Sequence, residues 1–480
     1  MRHNRAFMVC VFLVSMVTVS VTGCAGKAVY PHTAAYWHSR PPIPAFPGAE
    51  GYGRFAIGGR GGRVIEVTNL EDYDPRTEPA IPGSLRAAID VNEPRTIVFR
   101  LSGIIHLKRP LVVRYSYCTI AGQTAPGDGI CLRGSSFGVG PMASNVIIRH
   151  MRIRVGDEAG HPYDGAGLQG NNNIMDHCSI SWSMDEGLST RQARNVTFQR
   201  SIISEALHDS WHRSGPHSFA ASIGGDVASF HHNLLVHCAG RVWSLAGGMS
   251  REGKSQGRLD IRNNVIYNWV HRTTDGGALR VNFVSNYYIP GPATQWMWLI
   301  NPDTQGINTW DLYYLAGNIM EGRPEFTEDN WRGTPRVATS VKSETELFPS
   351  YVTTTSAREA YESVLSNVGA NRPRQDAIDR RIITEVRERT FTYWGSRTGL
   401  PGIIDSQTDL GPNPWPEYKT FDVPVDSDHD GLPDWWERKY GTNVNSTPGD
   451  FSDSNSDRNG NNYTDLEDYL NYLAAGGLNM

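Results

Sequence analysis

An acidic stretch near the end of the chain has the oxygen spacing of a calcium-binding loop. The residues that begin at Asp426 place side-chain oxygens at loop positions 1, 3, 5, 9 and 12, with Gly431 at position 6, where such a loop turns sharply. The predicted ligands are Asp426, Asp428, Asp430, Asp434 and Glu437. Because calcium takes about six to eight oxygen ligands, the stretch is predicted to bind this ion.

A second, degenerate copy of the loop follows closer to the C-terminus. Its predicted ligands are Asp457, Asn459, Asn461, Asp465 and Asp468. Asn462 replaces the turn glycine and Asp468 replaces the bidentate glutamate, so weaker affinity is expected. Chance clustering of acidic residues is the alternative for both loops. Because protein residues fill every ligand position, a metal here is predicted to stabilise a small module rather than to catalyse a reaction.

Carboxylates and histidines in the middle of the chain form a second group with chemical potential. Asp164 precedes a Gly-Ala-Gly-Leu run, and Asp185 with Glu186 follows on the next β-rich repeat. A single exposed carboxylate is usually only solvated, but several in equivalent places can converge on one ion. A turn-rich loop over 205–218 adds His212, Arg213 and His217. Functional residues concentrate in such loops, although the histidine spacing without helical periodicity is a weak signal for zinc.

Short β-rich runs between Val98 and Met320 can be aligned on one recurring polar position. The aligned residues are His150, His177, Arg200, Asn233, Asn264, Asn286 and Asn318. Steps of 22 to 33 residues separate them, which is typical of a solenoid with loops that bulge from its turns. We therefore predict an all-β fold, a parallel β-helix, with asparagines stacked at one corner and coils about 4.8 Å apart. An antiparallel sandwich is the alternative, but regular hairpin signals are lacking.

The first 24 residues have the pattern of an export signal. Arg2 and Arg5 precede an apolar run that ends in a lipobox-like sequence at Cys24. We exclude this segment from the fold and predict lipidation of Cys24; a transmembrane anchor is the alternative, although the run is near the short limit for spanning. Four cysteines lie further on, Cys118, Cys131, Cys178 and Cys238. In so long a chain we expect buried thiols rather than disulfide bridges.

The composition limits the classes of function and the number of domains. The chain has 480 residues, a net charge of −5 and 20% charged residues, which argues against a nucleic-acid binder and against a disordered chain. Apolar residues at helical spacing predict helices over 356–367 and 374–389. The predicted organisation is a lipoprotein-type signal over 1–24, a β-helix over 45–335, a helical extension over 340–400 and an EF-hand-type calcium-loop module over 421–475.

Several motifs resemble those of one known family. They are FPGAEGYG from Phe46, TIAGQTAPGDGI from Thr119, DHCSISWS from Asp176, FHHNLL from Phe230 and RNNVIYN from Arg262. Over about 45–370 the chain resembles the pectate lyases, family 1 of the polysaccharide lyases, in their bacterial branch. The resemblance implies a right-handed parallel β-helix and calcium-dependent β-elimination of polygalacturonate.

The resemblance also implies roles for individual residues. Asp164 resembles the family's first calcium carboxylate, Asp185 and Glu186 resemble the acidic pair that follows, and Arg241 resembles the catalytic arginine. The residues expected to bind substrate are His212, Arg213, His217 and Trp243. Trp243 either stacks on a sugar face or belongs to the core.

Two departures from the family pattern remove cations that would hold the substrate. Ser214 stands where the family usually has a lysine, and Val242-Trp243-Ser244 stands where Arg241 is usually followed by Asn-Pro-Arg. Arg213 is a candidate replacement for the first cation, and nothing in the sequence replaces the second.

The sequence therefore predicts an exported lyase that cleaves a pectic or other uronate-containing polysaccharide with Ca²⁺ as its cofactor. We expect a monomer with a lipid anchor or a secreted form, and no nucleic-acid partner. One alternative is a non-catalytic or altered-specificity carbohydrate-binding β-helix. Another is a glycoside hydrolase, which would need paired carboxylates about 5 to 9.5 Å apart.

Overall fold

The strands between Arg63 and Ser343 form three parallel β-sheets. The computed structural model describes residues 33–158, 160–246, 256–302, 311–335, 337 and 339–477. The first sheet contains Arg63–Val67, Arg95–Phe99, Cys118–Ala121, Val146–Arg149, Asn171–Asp176, Arg194–Gln199, Asp226–His231, Arg258–Arg262, Arg280–Val284, Leu312–Ala316 and Lys342–Ser343. The second sheet contains Gly103–His106, Ile130–Arg133, Arg152–Arg154, Ser179–Ser181, Ile202–Ser204, Leu234–Val236, Val265–Tyr267, Tyr287–Ile289 and Ile319–Met320. The third sheet contains Leu111–Val113, Phe137–Val139, Ala166–Leu168, Glu186–Ser189, Phe219–Ile223, Trp243–Ala246, Thr274–Gly277 and Ile300–Pro302.

From Arg95 to Pro302 each coil runs through the first, second and third sheets in turn and then returns to the first sheet one strand further along. The strand pairings within all three sheets are parallel. The predicted right-handed parallel β-helix is confirmed, and the antiparallel sandwich is excluded.

The interior is a stack of apolar side chains in register. One inward-facing row of the first sheet consists of Ile148, Met175, Phe198, Phe230, Ile261 and Phe283, all fully buried. Burying each such side chain contributes about 1.5 to 3 kcal/mol, so the stack sums its stability coil by coil. The four cysteines that follow the signal segment are buried and unpaired, as predicted.

Buried asparagines from successive coils form a hydrogen-bonded ladder at the corner between the first and second sheets. The Oδ1 of Asn264 accepts hydrogen bonds from the backbone N–H and the Nδ2 of Asn233, both at 3.0 Å, and the Nδ2 of Asn264 donates to Asn286 at 2.9 Å. Asn286 and Asn318 repeat this pattern, and Asn330 closes it. The predicted asparagine stack is confirmed for these coils, where it satisfies buried backbone groups that the turn leaves unpaired.

The predicted alignment is wrong by one residue in the earlier coils. His150, His177 and Arg200 have left-handed φ values of 55°, 50° and 48° and lie one residue before the ladder position. Ser201 takes the ladder position instead, where its backbone N–H donates to Asn233 Oδ1 at 3.0 Å. In the two earliest of these coils the ladder position carries Met151 and Cys178, so an alignment on polar residues selects the left-handed position before it.

Helices lie before, within and after the β-helix. They are Ala34–His38, Leu85–Ile89, Pro324–Glu328, Ala357–Ser366, Ala377–Glu388, Asp434–Tyr440 and Asp465–Ala474, with 3-10 turns at Gly122–Thr124, Asn330–Gly333, Thr339–Val341 and Gln407–Leu410. The side chain of Ser356 accepts from Glu359 N–H at the start of the fourth helix, and Asp376 caps the fifth in the same way. Both predicted helices are confirmed.

The acidic C-terminal segment packs on the outer face of the first sheet. Its apolar side chains form a buried cluster with three residues of the sheet; the cluster consists of Leu432, Trp436, Leu466, Tyr469, Leu470 and Leu473 with Val64, Val98 and Ala121. The Nε of Arg60 pairs with Glu467 at 2.8 Å beside this cluster. Val98 faces outwards because its neighbours Ile97 and Phe99 belong to the interior. The predicted domain boundaries stay a prediction.

The predicted signal segment over 1–24, with Cys24, lies outside the described residues. Among the residues that are described, no helix is long and apolar enough to cross a membrane.

Candidate active site

Three carboxylates from neighbouring coils converge at the N-terminal ends of two strands of the third sheet, Ala166–Leu168 and Glu186–Ser189. Asp164 lies on one coil, and Asp185 and Glu186 lie on the next. One oxygen of each lies within 4.8 Å of the other two. The backbone N–H of Gly165 donates to the Glu186 carbonyl at 2.8 Å, and that of Glu186 donates to Asp164 Oδ1 at 3.3 Å. The structure thus brings together the three carboxylates that the sequence singled out.

Burial and mutual repulsion disfavour three charged carboxylates at this place. Burial raises the pKa of Asp164 to about 7, and the charges of Glu186 and Asp185 act in the same direction. Burial also raises the pKa of Asp185 to about 7, with Glu186 as the next cause. For Glu186, burial is outweighed by hydrogen bonds, first that from Ser222, and by the charge of Arg241, so its pKa lies below its ordinary value. A bound cation would relieve this repulsion.

Arg241 lies in contact with the carboxylate cluster. It occupies a left-handed corner with a φ of 47°. Its Nη1 donates to Glu186 Oε1, and its Cζ lies 4.2 Å from the centroid of the Phe219 ring. The side chain is 24% exposed. A carboxylate and an aromatic ring therefore fix the guanidinium while part of it stays open to solvent.

Two histidines face Asp185 from the loop that precedes Phe219–Ile223. His212 Nε2 lies 3.6 Å from Asp185 Oδ2, and His217 Nε2 lies 3.8 Å from Asp185 Oδ1. Backbone groups orient both rings: His217 Nδ1 lies 2.8 Å from the Gly215 carbonyl, and His212 Nδ1 accepts from Ser214 N–H at 3.2 Å. Burial lowers the pKa of His212, which keeps this imidazole neutral at neutral pH.

Trp243 does not line the site. Its side chain is fully buried, and its ring centroid lies 5.5 Å from that of Phe230 in the interior. The prediction that Trp243 binds substrate is wrong, because side chains alternate between the two faces of a strand and Trp243 takes an inward position. Arg213, by contrast, is exposed in the loop that carries His212.

Two residues that the sequence analysis did not single out complete the surroundings of Glu186. The Nη2 of Arg191 donates to Glu186 Oε1 at 3.2 Å and to Ser222 Oγ at 3.0 Å. Ser222 Oγ donates to the same Glu186 oxygen at 2.6 Å. Neither residue belongs to a motif; the available signal is its position relative to Glu186 once the pairing of the strands is known.

The chain is similar over most of its length to curated fungal proteins. It is 32% identical over 426 residues to a probable pectate lyase C from Neosartorya fischeri, a match that covers 86% of this chain and 91% of that protein. It is also 32% identical over 427 residues to a probable pectate lyase C from Aspergillus terreus, with 85% and 90% covered. The chain belongs to the pectate lyase family. No protein-family model matches it.

The fold of this lyase has a solved counterpart. The crystal structure of Jun a 1, the major allergen from cedar pollen, superimposes with a TM-score of 0.51 at 16% identity, covering 67% of this chain and 92% of that one. At this identity the likeness shows the fold alone. The predicted family and the predicted type of enzyme, a carbon–oxygen lyase acting on polysaccharides, are confirmed. The two relatives named are fungal, so the bacterial branch stays a prediction.

The first calcium-type loop of this lyase gathers carboxylate oxygens without partners. Asp426, Asp428 and Asp430 each bring an oxygen within 4.8 Å of the other two. Within the described part of the chain, the buried atoms Asp428 Oδ1, Asp430 Oδ2 and Glu437 Oε2 have no hydrogen-bond partner. Burial raises the pKa of Asp430 to about 8 and that of Glu437 to about 7. This set of buried oxygens fits a calcium ion.

The residue at loop position 9 is held by hydrogen bonds in both loops. Asp434 accepts from Ser427 N–H at 2.9 Å and from Arg438 Nη2 at 2.8 Å. Asp465 accepts from Arg458 Nε at 2.8 Å. This position often binds calcium through a water, so these two ligands stay a prediction.

The second loop fits calcium less well. The Nδ2 atoms of Asn459 and Asn461 donate to the two oxygens of Asp468, at 2.6 and 2.8 Å. Asp457 Oδ1 is buried without a partner among the described residues. Three of the predicted ligands thus satisfy one another, which agrees with the weaker affinity expected from the sequence.

A further cluster of ligand types, His150, Asp176 and His177, lies elsewhere, and the carboxylate of Asp176 already has partners within the protein. Asp176 Oδ1 accepts from Gln199 Nε2 at 2.7 Å, and its Oδ2 accepts from Arg149 Nε at 2.9 Å. His177 Nδ1 lies 2.9 Å from the same Oδ2. Because a guanidinium already compensates this carboxylate, the cluster is a buried ion-pair network of the corner.

Proposed function

We propose that the protein is an exported, calcium-dependent pectate lyase that cleaves polygalacturonate by β-elimination. The observation that carries this proposal is the contact of Arg241 with the cluster of Asp164, Asp185 and Glu186 in a chain that belongs to the pectate lyase family. The substrate is inferred from the names of its relatives.

The three carboxylates are the residues that would hold calcium. They offer only oxygen ligands, which calcium prefers, and their oxygens lie close enough to share one ion. The raised pKa values of Asp164 and Asp185 support this assignment, since the charged forms lack sufficient compensation within the protein. When bound, calcium would withdraw charge from a uronate carboxylate and make the adjacent C5 proton more acidic.

Arg241 is the residue that we assign to the C5 proton. In β-elimination this proton leaves C5, a double bond forms between C4 and C5, and the bond from C4 to the glycosidic oxygen breaks; the departing oxygen takes a proton from water and leaves as a hydroxyl group. The guanidinium acts either as the base or by holding the hydroxide that takes the proton. Glu186 and Phe219 fix its position before substrate arrives, and such preorganisation lowers the barrier.

His212, His217 and Arg213 are assigned to substrate binding. The two imidazoles lie beside Asp185 with orientations fixed by the loop backbone, so they can donate to or accept from a polymer that reaches the carboxylates. Arg213 is exposed on the same loop, where its positive charge attracts a uronate chain.

The tail is assigned a stabilising role and not a part in the elimination. Its calcium-type loops pack through Leu432 and Trp436 on the first sheet, whereas the carboxylate cluster lies at the N-terminal ends of two strands of the third sheet. Export and lipid anchoring are proposed from the segment over 1–24 and from Cys24.

A rate measurement on polygalacturonate, with calcium and after chelation by EDTA, tests the proposed function. We expect an unsaturated uronate product, detected by its ultraviolet absorbance, with calcium present and none after chelation. Cleavage without unsaturated ends would identify a glycoside hydrolase. Binding of oligogalacturonides without cleavage would identify a carbohydrate-binding protein, and either result would overturn the proposal.

A further inference from the structure

A second arginine occupies the same corner as Arg241, one coil further along. Strand pairing places Trp243 opposite Thr274, so Arg272 is the register equivalent of Arg241. Both arginines have a left-handed φ of 47°. The backbone N–H of Val242 donates to the Thr273 carbonyl at 3.0 Å between them. The fold therefore directs the two side chains from the same edge, one coil spacing of about 4.8 Å apart.

Both guanidinium groups lie against one aromatic ring. The Cζ of Arg241 is 4.2 Å and that of Arg272 is 5.7 Å from the centroid of Phe219. Phe219 itself is paired with Glu186 on the preceding coil. The ring thus links the carboxylate cluster, Arg241 and Arg272 in a continuous row that is acidic at one end and basic at the other.

Arg272 is anchored at one nitrogen and open at the others. Its Nε donates to Asp275 Oδ2 at 2.6 Å, and Asp275 is buried. The side chain of Arg272 is 41% exposed. Its two terminal nitrogens donate to no group within the described residues, whereas a terminal nitrogen of Arg241 is occupied by Glu186. Asp275 therefore orients a guanidinium fork whose outer edge faces solvent.

We propose that Arg272 and Phe219 form a binding subsite for the carboxylate of a uronate residue, one coil beyond the reaction centre. This inference rests on the proposed function. The subsite would give the enzyme a preference for unesterified polymer. A planar guanidinium matches a carboxylate with two parallel hydrogen bonds, and a methyl ester cannot accept them with a full charge. Asp275 is a positioning residue that fixes the direction of the fork.

Arg272→Gln is the main test, with Arg258→Gln as the matched control. Arg258 also donates through Nε to an aspartate, Asp226 Oδ1, at 2.6 Å and is 42% exposed, but it lies on the first sheet. Loss of one hydrogen bond between charged groups weakens binding about 10- to 100-fold. We expect Arg272→Gln to raise KM for polygalacturonate by such a factor with kcat changed less than about threefold, and Arg258→Gln to change neither.

Calorimetric titration with trigalacturonate measures the subsite independently of turnover. We expect Arg272→Gln to lose affinity by the same factor, even if the wild type forms no product and the proposed function fails. Arg272→Lys keeps the charge beside Asp275 and tests the fork should the glutamine variant be unstable; it is expected to lose affinity less than Arg272→Gln. Wild-type affinity in a folded Arg272→Gln or Arg272→Lys variant would show that Arg272 only stabilises the turn between strands and does not bind substrate. That result would overturn the proposal.

Discussion

Replacement of Arg241 by lysine tests the assignment of the reaction centre. In the structure Arg241 donates to Glu186 Oε1 and lies 4.2 Å from the Phe219 ring, with 24% of its side chain exposed. Lysine keeps the positive charge but loses the planar fork. A single ammonium that stays with Glu186 no longer presents a second nitrogen to the substrate, so the variant separates geometry from charge.

The expected loss follows from the role of a group that acts in the transition state. Removing one donor aimed at developing charge lowers kcat about 10²- to 10³-fold, or about 2.7 to 4 kcal/mol. KM should change little, because the interaction with Arg241 strengthens only as the C5 proton leaves. The rate of the wild type should also rise towards alkaline pH, as more base becomes available.

Initial rates on polygalacturonate at saturating calcium provide the assay, and Arg191→Lys provides the comparison. Arg191 donates to the same Glu186 oxygen at 3.2 Å but is 54% exposed. The fold-decrease in kcat caused by Arg191→Lys should be at least ten times smaller than that caused by Arg241→Lys. If Arg241→Lys keeps most of its kcat, or if the loss of activity follows a lower melting temperature, Arg241 is a structural cation and does not act on the C5 proton.

Three further predictions concern stability. Deletion of Asp426 to Met480 should expose Val98 and its outward-facing neighbours and lower the melting temperature, yet leave the specific activity of the folded fraction; an inactive, well-folded truncation would contradict this. Asn264→Leu should lower the free energy of unfolding by about 3 to 5 kcal/mol in urea titrations, because it leaves several buried ladder groups unpaired; a loss below about 1 kcal/mol would argue against the ladder. Burial would raise the pKa of Glu385, but the hydrogen bond and charge of His237 and the charge of Arg381 lower it from 4.5 to about 2. The carboxylate therefore adds up to about 3 kcal/mol above pH 4.5, and this advantage over Glu385→Gln should vanish as the pH falls towards 2; a pH-independent difference would contradict it.

The fold could be predicted because each coil of a solenoid requires similar residue types at equivalent positions. Asn233, Asn264, Asn286 and Asn318 recur at one corner, and their spacing alone indicates stacked coils. The register of earlier coils could not be predicted, since the ladder position of the two earliest carries Met151 and Cys178 instead of a polar residue. His150 therefore occupies the left-handed position and not the ladder position.

The candidate site could be predicted only in part, for a related reason. Asp164, Asp185 and Glu186 lie in equivalent places on successive coils, so the repeat brings them together. For Trp243 the sequence leaves a sugar-binding position and a core position open, because a shift of one residue in a strand reverses inward and outward positions; the structure places it in the core. Arg272 was not found, since its relation to Arg241 exists only through the pairing of Trp243 with Thr274.

The rate of Asp185→Asn on polygalacturonate across a calcium titration decides whether the carboxylate cluster takes part in the reaction. We expect no unsaturated product from the variant at any calcium concentration that supports turnover by the wild type. Without calcium the variant should melt at or above the wild-type temperature, because burial raises the pKa of Asp185 to about 7 and its charged form therefore destabilises the fold at higher pH. Turnover close to that of the wild type would contradict this expectation and show that the carboxylate cluster has no part in the reaction.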